Sequence, residues 1–403
     1  MSIESGKQKI EWISRHMPVL NSLRDSLIES KPFNGLTIGV CLHIETKTGY
    51  LTEVLKDCGA NVVVCGSNPL STKDDIVEAI RDYGITVYSS SNMTEKEYNL
   101  NIEKVAESRP NIIIDDGADL VTKIVESGLN KKYDIIGSTE ETTTGIIRLK
   151  SLEKENKLPF PAIAVNDTPM KCMFDNRFGT AQSTLFSIFK ITNTSLSGKC
   201  IVVAGYGWCG KGISSRAKAI GAEVIVCEVN PIRANEARMD GFRVMKMDRA
   251  AELGDVFITA TGCKDVITLK HFLKMKDGAI LANSGHFNNE INLSDLTAAS
   301  SHSYNYNEYM KAYCIDGKEI VVLTEGRLVN LIGGEGHPIE IIDLSFSLQL
   351  LSALYLLENK GSLDNILLSV PDSIDNNIAK KNLEVYGIEI DELTDDQRLY
   401  LGL

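Results

Sequence analysis

Five apolar residues, Cys200 to Ala204, run straight into Gly205-Tyr206-Gly207-Trp208-Cys209-Gly210, and a helical pattern follows at once. A strand that turns so tightly into a helix is the first crossover of a parallel α/β sheet. The glycines Gly205, Gly207 and Gly210 permit the turn and let backbone N–H groups approach a pyrophosphate at the helix N-terminus. Glu228 closes the next apolar run, Glu223 to Cys227, where a carboxylate accepts from ribose hydroxyls and repels a 2′-phosphate. The expected cofactor is therefore NAD rather than NADP, although Arg233 nearby weakens that preference a little.

The same alternation of strand and helix begins much earlier. Leu36 to Leu42, Asn61 to Cys65, Ile85 to Tyr88 and Asn111 to Ile114 read as buried strands. Thr48 to Asp57, Asp75 to Arg81 and Glu95 to Glu107 read as the helices between them. After Cys200 to Ala204 the pattern restarts with helix Lys211 to Ile220 and continues through strands near Val256 to Thr259 and Ala279 to Ala282. A chain of 403 residues is too long for one ordinary core. The expectation is two Rossmann-like, doubly wound parallel-sheet domains with a cleft between them.

A net charge of −12 with interspersed signs argues against a phosphate-backbone partner, so no nucleic acid is expected. No run approaches the length of a membrane span, no signal peptide is evident, and the nine cysteines form no CxxC pair. The reading is cytoplasmic, with reduced thiols, no metal and no membrane partner.

Several polar groups have ambiguous readings on their own. Asp115 and Asp116 end a strand, where open α/β sheets place ligand residues, but an Asp-Asp-Gly is as often a turn. Glu140 and Glu141 precede Thr142, Thr143 and Thr144, whose hydroxyls suit a ribose, or the group is a charged helix cap. Lys171 and Asp175, if helical, form an ordinary i,i+4 pair. A lone histidine is more often a satisfied structural residue, so none of the six, His16, His43, His271, His286, His302 and His337, takes a role from its own surroundings.

Taken together, certain blocks resemble the S-adenosyl-L-homocysteine hydrolase family over nearly the whole chain, in its shorter, prokaryotic form. They are Asn111 to Asp119, Ser138 to Gly145, Val165-Asn-Asp-Thr-Pro-Met-Lys-Cys-Met-Phe-Asp-Asn176, Gly285-His286-Phe287, and Glu325-Gly-Arg-Leu-Val-Asn330 leading to Gly336-His337-Pro338. The resemblance implies a substrate domain over 1–182 completed by 338–385, an NAD domain over 183–337, and a short segment 386–403. The helical stretch Ile341 to Glu358 would return to the first domain. It implies His43, Asp116, Lys171, Asp175 and His286 as catalytic groups, with Lys171 removing the 3′-hydroxyl proton through a pKa lowered by burial. Glu45, Lys47, Glu141 and His337 would meet substrate; Thr142, Thr143, Thr144, Asn176 and Asn330 would join the glycines, Glu228 and Arg233 around NAD. A homotetramer is the family's usual assembly.

This sequence departs from longer relatives in three places. It ends at Leu403, soon after Asp395 to Gly402, and lacks the tail that reaches a neighbouring subunit's cofactor. Thr180 stands where a cysteine is common. Glu45 and Lys47 stand where those relatives carry Thr and Glu, beside the purine. A carboxylate at position 47 suits the adenine amino group. Lys47 can only donate, which suits a 6-oxo oxygen, with Glu45 accepting from N1–H and Glu335 orienting Lys47; alternatively Lys47 merely pairs with Glu45 or Glu335. The implied reaction is hydrolysis of S-adenosyl-L-homocysteine, with S-inosyl-L-homocysteine as the alternative substrate. A catalytically silent, NAD-binding regulatory relative is the competing class.

Overall fold

The computed structural model describes residues 2–68 and 70–402. Its strands, in chain order, are β1 (Thr37–Leu42), β2 (Asn61–Gly66), β3 (Thr86–Tyr88), β4 (Ile112–Asp115), β5 (Gly137–Glu140), β6 (Ala162–Ala164), β7 (Cys200–Ala204), β8 (Glu223–Cys227), β9 (Arg243–Val244), β10 (Val256–Thr259), β11 (Ala279–Asn283), β12 (His302–Asn307), β13 (Met310–Ile315), β14 (Lys318–Leu323) and β15 (Leu367–Ser369). They form two sheets. The first runs β3-β2-β1-β4-β5-β6-β15, with every pairing parallel. The second runs β9-β8-β7-β10-β11-β14-β13-β12.

Both sheets thus repeat one winding: out from the first strand in one direction, then back across it in the other. The reversal lies between β1 and β4 in the first sheet and between β7 and β10 in the second, and a crevice opens there at the carboxyl ends of the strands. Strands buried on both faces read as near-continuous apolar runs, which is why Cys200–Ala204 and Ile112–Asp115 are entirely buried.

The second sheet is not wholly parallel, contrary to the sequence reading. Beyond β11, β14 continues parallel, but β13 and β12 return antiparallel at the edge. The reason is local. Asp316 and Gly317, between β13 and β14, both have positive φ, at 51° and 74°, which makes the two-residue reversal that suits a twisted hairpin.

Helix Ile339–Glu358 has 20 residues and the length and apolarity of a membrane-crossing segment, so the expectation that no run approaches a span does not hold. Its apolarity has a soluble explanation in this structure: Leu344, Phe346, Leu348, Leu350, Ala353 and Leu356 are buried in the core of the first sheet. Helix Asp372–Val385 packs beside it, and β15 pairs with β6, so the chain after the second sheet returns to the first. All nine cysteines are free thiols, five of them buried.

Candidate active site

The acidic pairs at the ends of β4 and β5 divide their labour. Asp115 and Glu140 lie opposite each other in the register. Asp115 accepts from the N–H of Val121 at 2.9 Å, and Glu140 accepts from Gly117, Ala118 and Thr142, each at 2.9 Å. These two carboxylates hold the loops, and burial raises both above the usual range, Asp115 to about 7. The following residues, Asp116 and Glu141, turn the other way, toward the crevice.

His43 follows β1 directly. Its Nε2 lies 3.3 Å from Asp116 Oδ2, and His286, after β11 of the other sheet, places Nδ1 3.7 Å from Asp116 Oδ1. Ligand atoms of all three lie within 4.8 Å of one another, close enough for one proton or one small ion to be shared among them. Burial, with His286 beside it, lowers His43 to about 4 against the pull of Asp116, so the ring is neutral at neutral pH. Gly117, at φ +105°, is the seat for this meeting: a Cβ there would come within 2.7 Å of His286 Nε2.

A second cluster centres on Lys171. Its ammonium donates to Asp175 Oδ1 at 3.0 Å and Asn176 Oδ1 at 2.8 Å, and lies 3.3 Å from Glu141 Oε1. Cys172–Gly179 is a π-helix, and its wider turn lets one lysine meet both the i+4 and i+5 side chains. Burial alone would depress Lys171, but the Asp175 and Glu141 carboxylates outweigh it and raise it above the ordinary value. The lowered lysine pKa expected from sequence is therefore reversed: a buried amine depresses only when no anion accompanies it. Asp175 is held below the usual carboxylate range, Lys171 and His337 overcoming its burial, and His337 Nδ1 lies 3.2 Å away. Burial raises Glu141 to about 7.

Glu45 and Lys47 sit together, in the pairing that the sequence offers as one of two readings. Glu45 is the N-cap of helix Thr46–Asp57, accepting from the N–H groups of Lys47 and Thr48. It also receives the Lys47 ammonium at 2.6 Å, on the oxygen that accepts from the Lys47 N–H. Lys47 donates to the backbone carbonyl of Glu335 at 2.9 Å, not to its carboxylate.

On the second sheet the cradle is made of backbone. Gly205 has φ +94°, and a Cβ on Gly210 would lie 1.9 Å from the Gly205 carbonyl, so helix Trp208–Ala219 and the turn touch directly. A Cβ on Gly207 would meet only Arg233 Nη1, at 3.6 Å. Glu228 accepts from the N–H groups of Tyr206, Val229 and Asn230 at 2.7, 2.7 and 2.8 Å, which fixes its carboxylate beside the turn. Thr142 stands at the N-cap position of helix Thr143–Lys154 without a side-chain capping bond, and Thr143 Oγ1 accepts from Asn166 at 3.0 Å. Thr144 Oγ1 and Asn330 Oδ1 are buried with no partner, as befits groups whose partner is a bound molecule. Gly262, after β10, lies against Thr144, so the two sheets close on the same place. These residues fit NAD.

Sequence reasoning missed several groups that hold the site. Ser345 donates to Asp175 Oδ2 at 2.9 Å, and Gln349 donates to Glu141 while accepting from Thr139. Both are polar residues inside the apolar run of helix Ile339–Glu358, and that interruption was the available signal. Glu290 accepts from the N–H groups of Thr261 and Gly262 and from Thr261 Oγ1, shaping the loop after β10. Asn166 bridges Thr143, Asn176 and Lys171. Ser71 contacts His43 Nδ1 at 2.6 Å.

Two sheets of one winding, a glycine cradle on one and acid–base groups converging from both, define an NAD-dependent enzyme acting on a small molecule. Residues 1–136 match the family model for S-adenosyl-L-homocysteine hydrolase, and residues 176–336 match the model for the NAD binding domain of that enzyme. The chain belongs to the S-adenosyl-L-homocysteine hydrolase family, and it is a hydrolase that uses NAD. It is 51% identical to the S-inosyl-L-homocysteine hydrolase of Methanocaldococcus jannaschii over 99% of this chain and 96% of that one. With the S-inosyl-L-homocysteine hydrolase of Methanococcus maripaludis the identity is 50%, over the same shares. With the adenosylhomocysteinase of Thermotoga maritima it is 48%, over 99% of both chains.

Proposed function

We propose that this enzyme reversibly hydrolyses S-adenosyl-L-homocysteine to adenosine and L-homocysteine. The observation that carries the reading is the meeting of His43 and Asp116 from the first sheet with His286 from the second, beside the buried Lys171–Asp175–Glu141 cluster. NAD, when bound, supplies a two-electron oxidation at the substrate 3′-carbon and its later reversal.

Lys171 and Asp175 hold the ribose 3′- and 2′-hydroxyls. The Lys171 ammonium donates to the 3′-oxygen, and the proton released there enters the hydrogen-bonded group that contains Glu141, whose carboxyl titrates at about 7. With the 3′-carbon a ketone, the neighbouring C4′ hydrogen is acidic. His43 and Asp116 receive that proton as the C5′–S bond breaks, and they return one to the sulfur. The same groups take a proton from the water that adds at C5′, and C4′ is reprotonated. His286 reaches this centre from the cofactor side, so the closed cleft keeps the three groups together and excludes water from the intermediate. His337 braces Asp175, and Thr142, Thr143, Thr144, Asn176 and Asn330 line the cofactor side with the glycines and Glu228.

A second reading, S-inosyl-L-homocysteine as substrate, is favoured by Lys47. Two of its donors are engaged, by Glu45 and the Glu335 carbonyl, and the third suits a 6-oxo oxygen better than an amino group. Two relatives at 51% and 50% identity carry that activity in their names. We also assign 1–182 with 338–385 to substrate, 183–337 to NAD and 386–403 to a terminal segment, with a homotetramer in the cytoplasm as the working form. The test is to incubate the NAD-loaded enzyme with S-adenosyl- and S-inosyl-L-homocysteine separately and titrate the thiol released. No thiol from either would refute the proposal, and a higher kcat/KM for the inosyl compound would replace the first reading by the second.

A further inference from the structure

We infer that Ser71 fixes which ring nitrogen of His43 carries the proton, so that resting His43 presents an Nε2–H donor to the cleft and leaves Asp116 as the acceptor there. The inference rests on the proposed reaction only for its consequence; its geometry stands alone. Ser71 is 2% exposed, on the loop that follows β2. That loop is tied across the end of β1, Ser67 N–H donating to the Leu42 carbonyl at 3.1 Å and Lys73 N–H to the Ile44 carbonyl at 2.9 Å. The Ser71 hydroxyl is thereby held 2.6 Å from His43 Nδ1 and 3.3 Å from the Asn68 carbonyl.

A serine hydroxyl has one proton, a carbonyl only accepts, and a neutral imidazole has one donor and one acceptor. Two arrangements are possible. In one, Ser71 donates to Nδ1 and Nε2–H donates to Asp116 Oδ2 at 3.3 Å; the one mismatch is the hydroxyl oxygen beside the neutral Asn68 carbonyl at 3.3 Å. In the other, Nδ1–H donates to Ser71, the hydroxyl turns to Asn68, and the bare Nε2 lone pair confronts a carboxylate oxygen. The second sets the mismatch against a charged carboxylate instead of a neutral carbonyl, which costs more, and it assigns the hydroxyl proton to the longer of its two contacts. The first is therefore the resting state. The hydrogen bond at the far nitrogen sets the chemistry of the near one.

The Asn68 carbonyl gives the device its second position. If His43 becomes charged, both nitrogens donate; the Ser71 hydroxyl then swings to Asn68 and accepts from Nδ1–H. Other titratable groups facing His43 are His286, Glu45 and His337, and none of them contacts Nδ1. Ser71 is thus a positioning residue, acting on the reaction through His43 and Asp116.

The test uses the NAD-loaded full chain with ring-labelled histidine, His43 being assigned by the signal lost in His43→Asn. Solid-state nitrogen spectra of the substrate-free enzyme at pH 7.5 should show the Nε2–H tautomer in the parent, a mixture in Ser71→Ala, and the parent tautomer again in Ser71→Thr. Turnover should fall about 10–10²-fold in Ser71→Ala with NAD content and melting temperature kept, and recover in Ser71→Thr. A parent ring in the Nδ1–H form, or a Ser71→Ala enzyme with unchanged tautomer or unchanged turnover, overturns the inference. So does Ser71→Thr failing to restore both readouts, which would place the effect in loop packing. The spectra need no substrate, so a wrong substrate assignment would leave them informative.

Discussion

The two sheets wind identically, yet they hold their ligands by opposite means. At the reversal of the second sheet, between β7 and β10, the site is backbone: Gly205 and Gly210 press together so closely that no side chain fits between helix and turn. At the matching reversal of the first sheet, between β1 and β4, the site is side chains: half-buried His43 and buried Asp116, Glu141, Lys171 and Asp175 stand in one crevice. A pyrophosphate is the same in every nucleotide cofactor and is well served by N–H groups that cannot titrate. A reaction that moves protons needs groups whose affinities can be set by burial and by neighbours. Here those settings diverge widely, with His43 lowered to about 4 and Glu141 raised to about 7 within one cleft.

If this division holds, damage to one half should spare the other's property. Lys171→Met should lower kcat about 10²–10⁴-fold while the purified protein keeps most of its NAD, because the charge partner of Lys171 is Asp175 and it reaches the cofactor side only through Asn176. Near-parental turnover would reduce Lys171 to a helical ion-pair partner of Asp175. Gly210→Ala should do the reverse. Its Cβ would meet the Gly205 carbonyl at 1.9 Å, so helix and turn must part. Overpacking of about 1–3 kcal/mol corresponds to roughly 5- to 150-fold weaker NAD binding. Equilibrium dialysis against NAD measures it, and saturating NAD should restore much of the turnover; undiminished affinity would break the contrast.

The same contrast explains what could be read from sequence. A backbone site leaves its signature in spacing, because only glycine serves at Gly205 and Gly210; strand, turn, helix and Glu228 were legible in order. A side-chain site leaves no such spacing. Asp115-Asp116 and Glu140-Glu141 look alike within each pair, and only alternation along β4 and β5 assigns the first of each to loop N–H groups and the second to the cleft. Resemblance named Lys171 and Asp175, but not Ser345 and Gln349, which reach them from a helix far along the chain. Pairwise charge balance was invisible too, so Lys171 was expected depressed when two carboxylates in fact raise it. The edge hairpin does have a sequence signal, since Asp316-Gly317 is a strong turn pair.

A smaller effect tests how the purine side of the crevice discriminates. Lys47 is 4% exposed and pinned by Glu45 and the Glu335 carbonyl, so it has one donor left. Lys47→Glu should shift the ratio of kcat/KM values from the inosyl toward the adenosyl thioether by about tenfold or more, since a mismatched buried donor or acceptor costs roughly 1–3 kcal/mol. An unchanged ratio would place Lys47 among structural pairs and out of reach of the base.

The smallest effect lies outside the cleft and asks whether buried titration by itself distinguishes the catalytic half. Asp343, on helix Ile339–Glu358, accepts from the N–H groups of Val19 and Leu20 at 2.9 and 2.8 Å, and burial raises it to about 7. It resembles Glu141 in environment but faces helix Pro18–Leu27 rather than substrate. A carboxyl whose folded pKa exceeds its unfolded value stabilises the fold fully below about pH 4. That contribution is lost as pH rises toward 7, by about 1 kcal/mol per unit. Asn cannot titrate, so Asp343→Asn should gain on the parent by about that much per unit between pH 5 and 7, with the difference levelling above. His43 has the opposite sign, its depressed pKa making the fold more stable as pH rises from 4 to 6.5, but it is common to both proteins and cancels in their difference. Paired urea unfolding curves at pH 5, 6, 7 and 8 measure the difference directly, and turnover per folded enzyme should be unchanged. Parallel pH dependence in the two proteins would mean that Asp343 stays ionised on its two N–H groups.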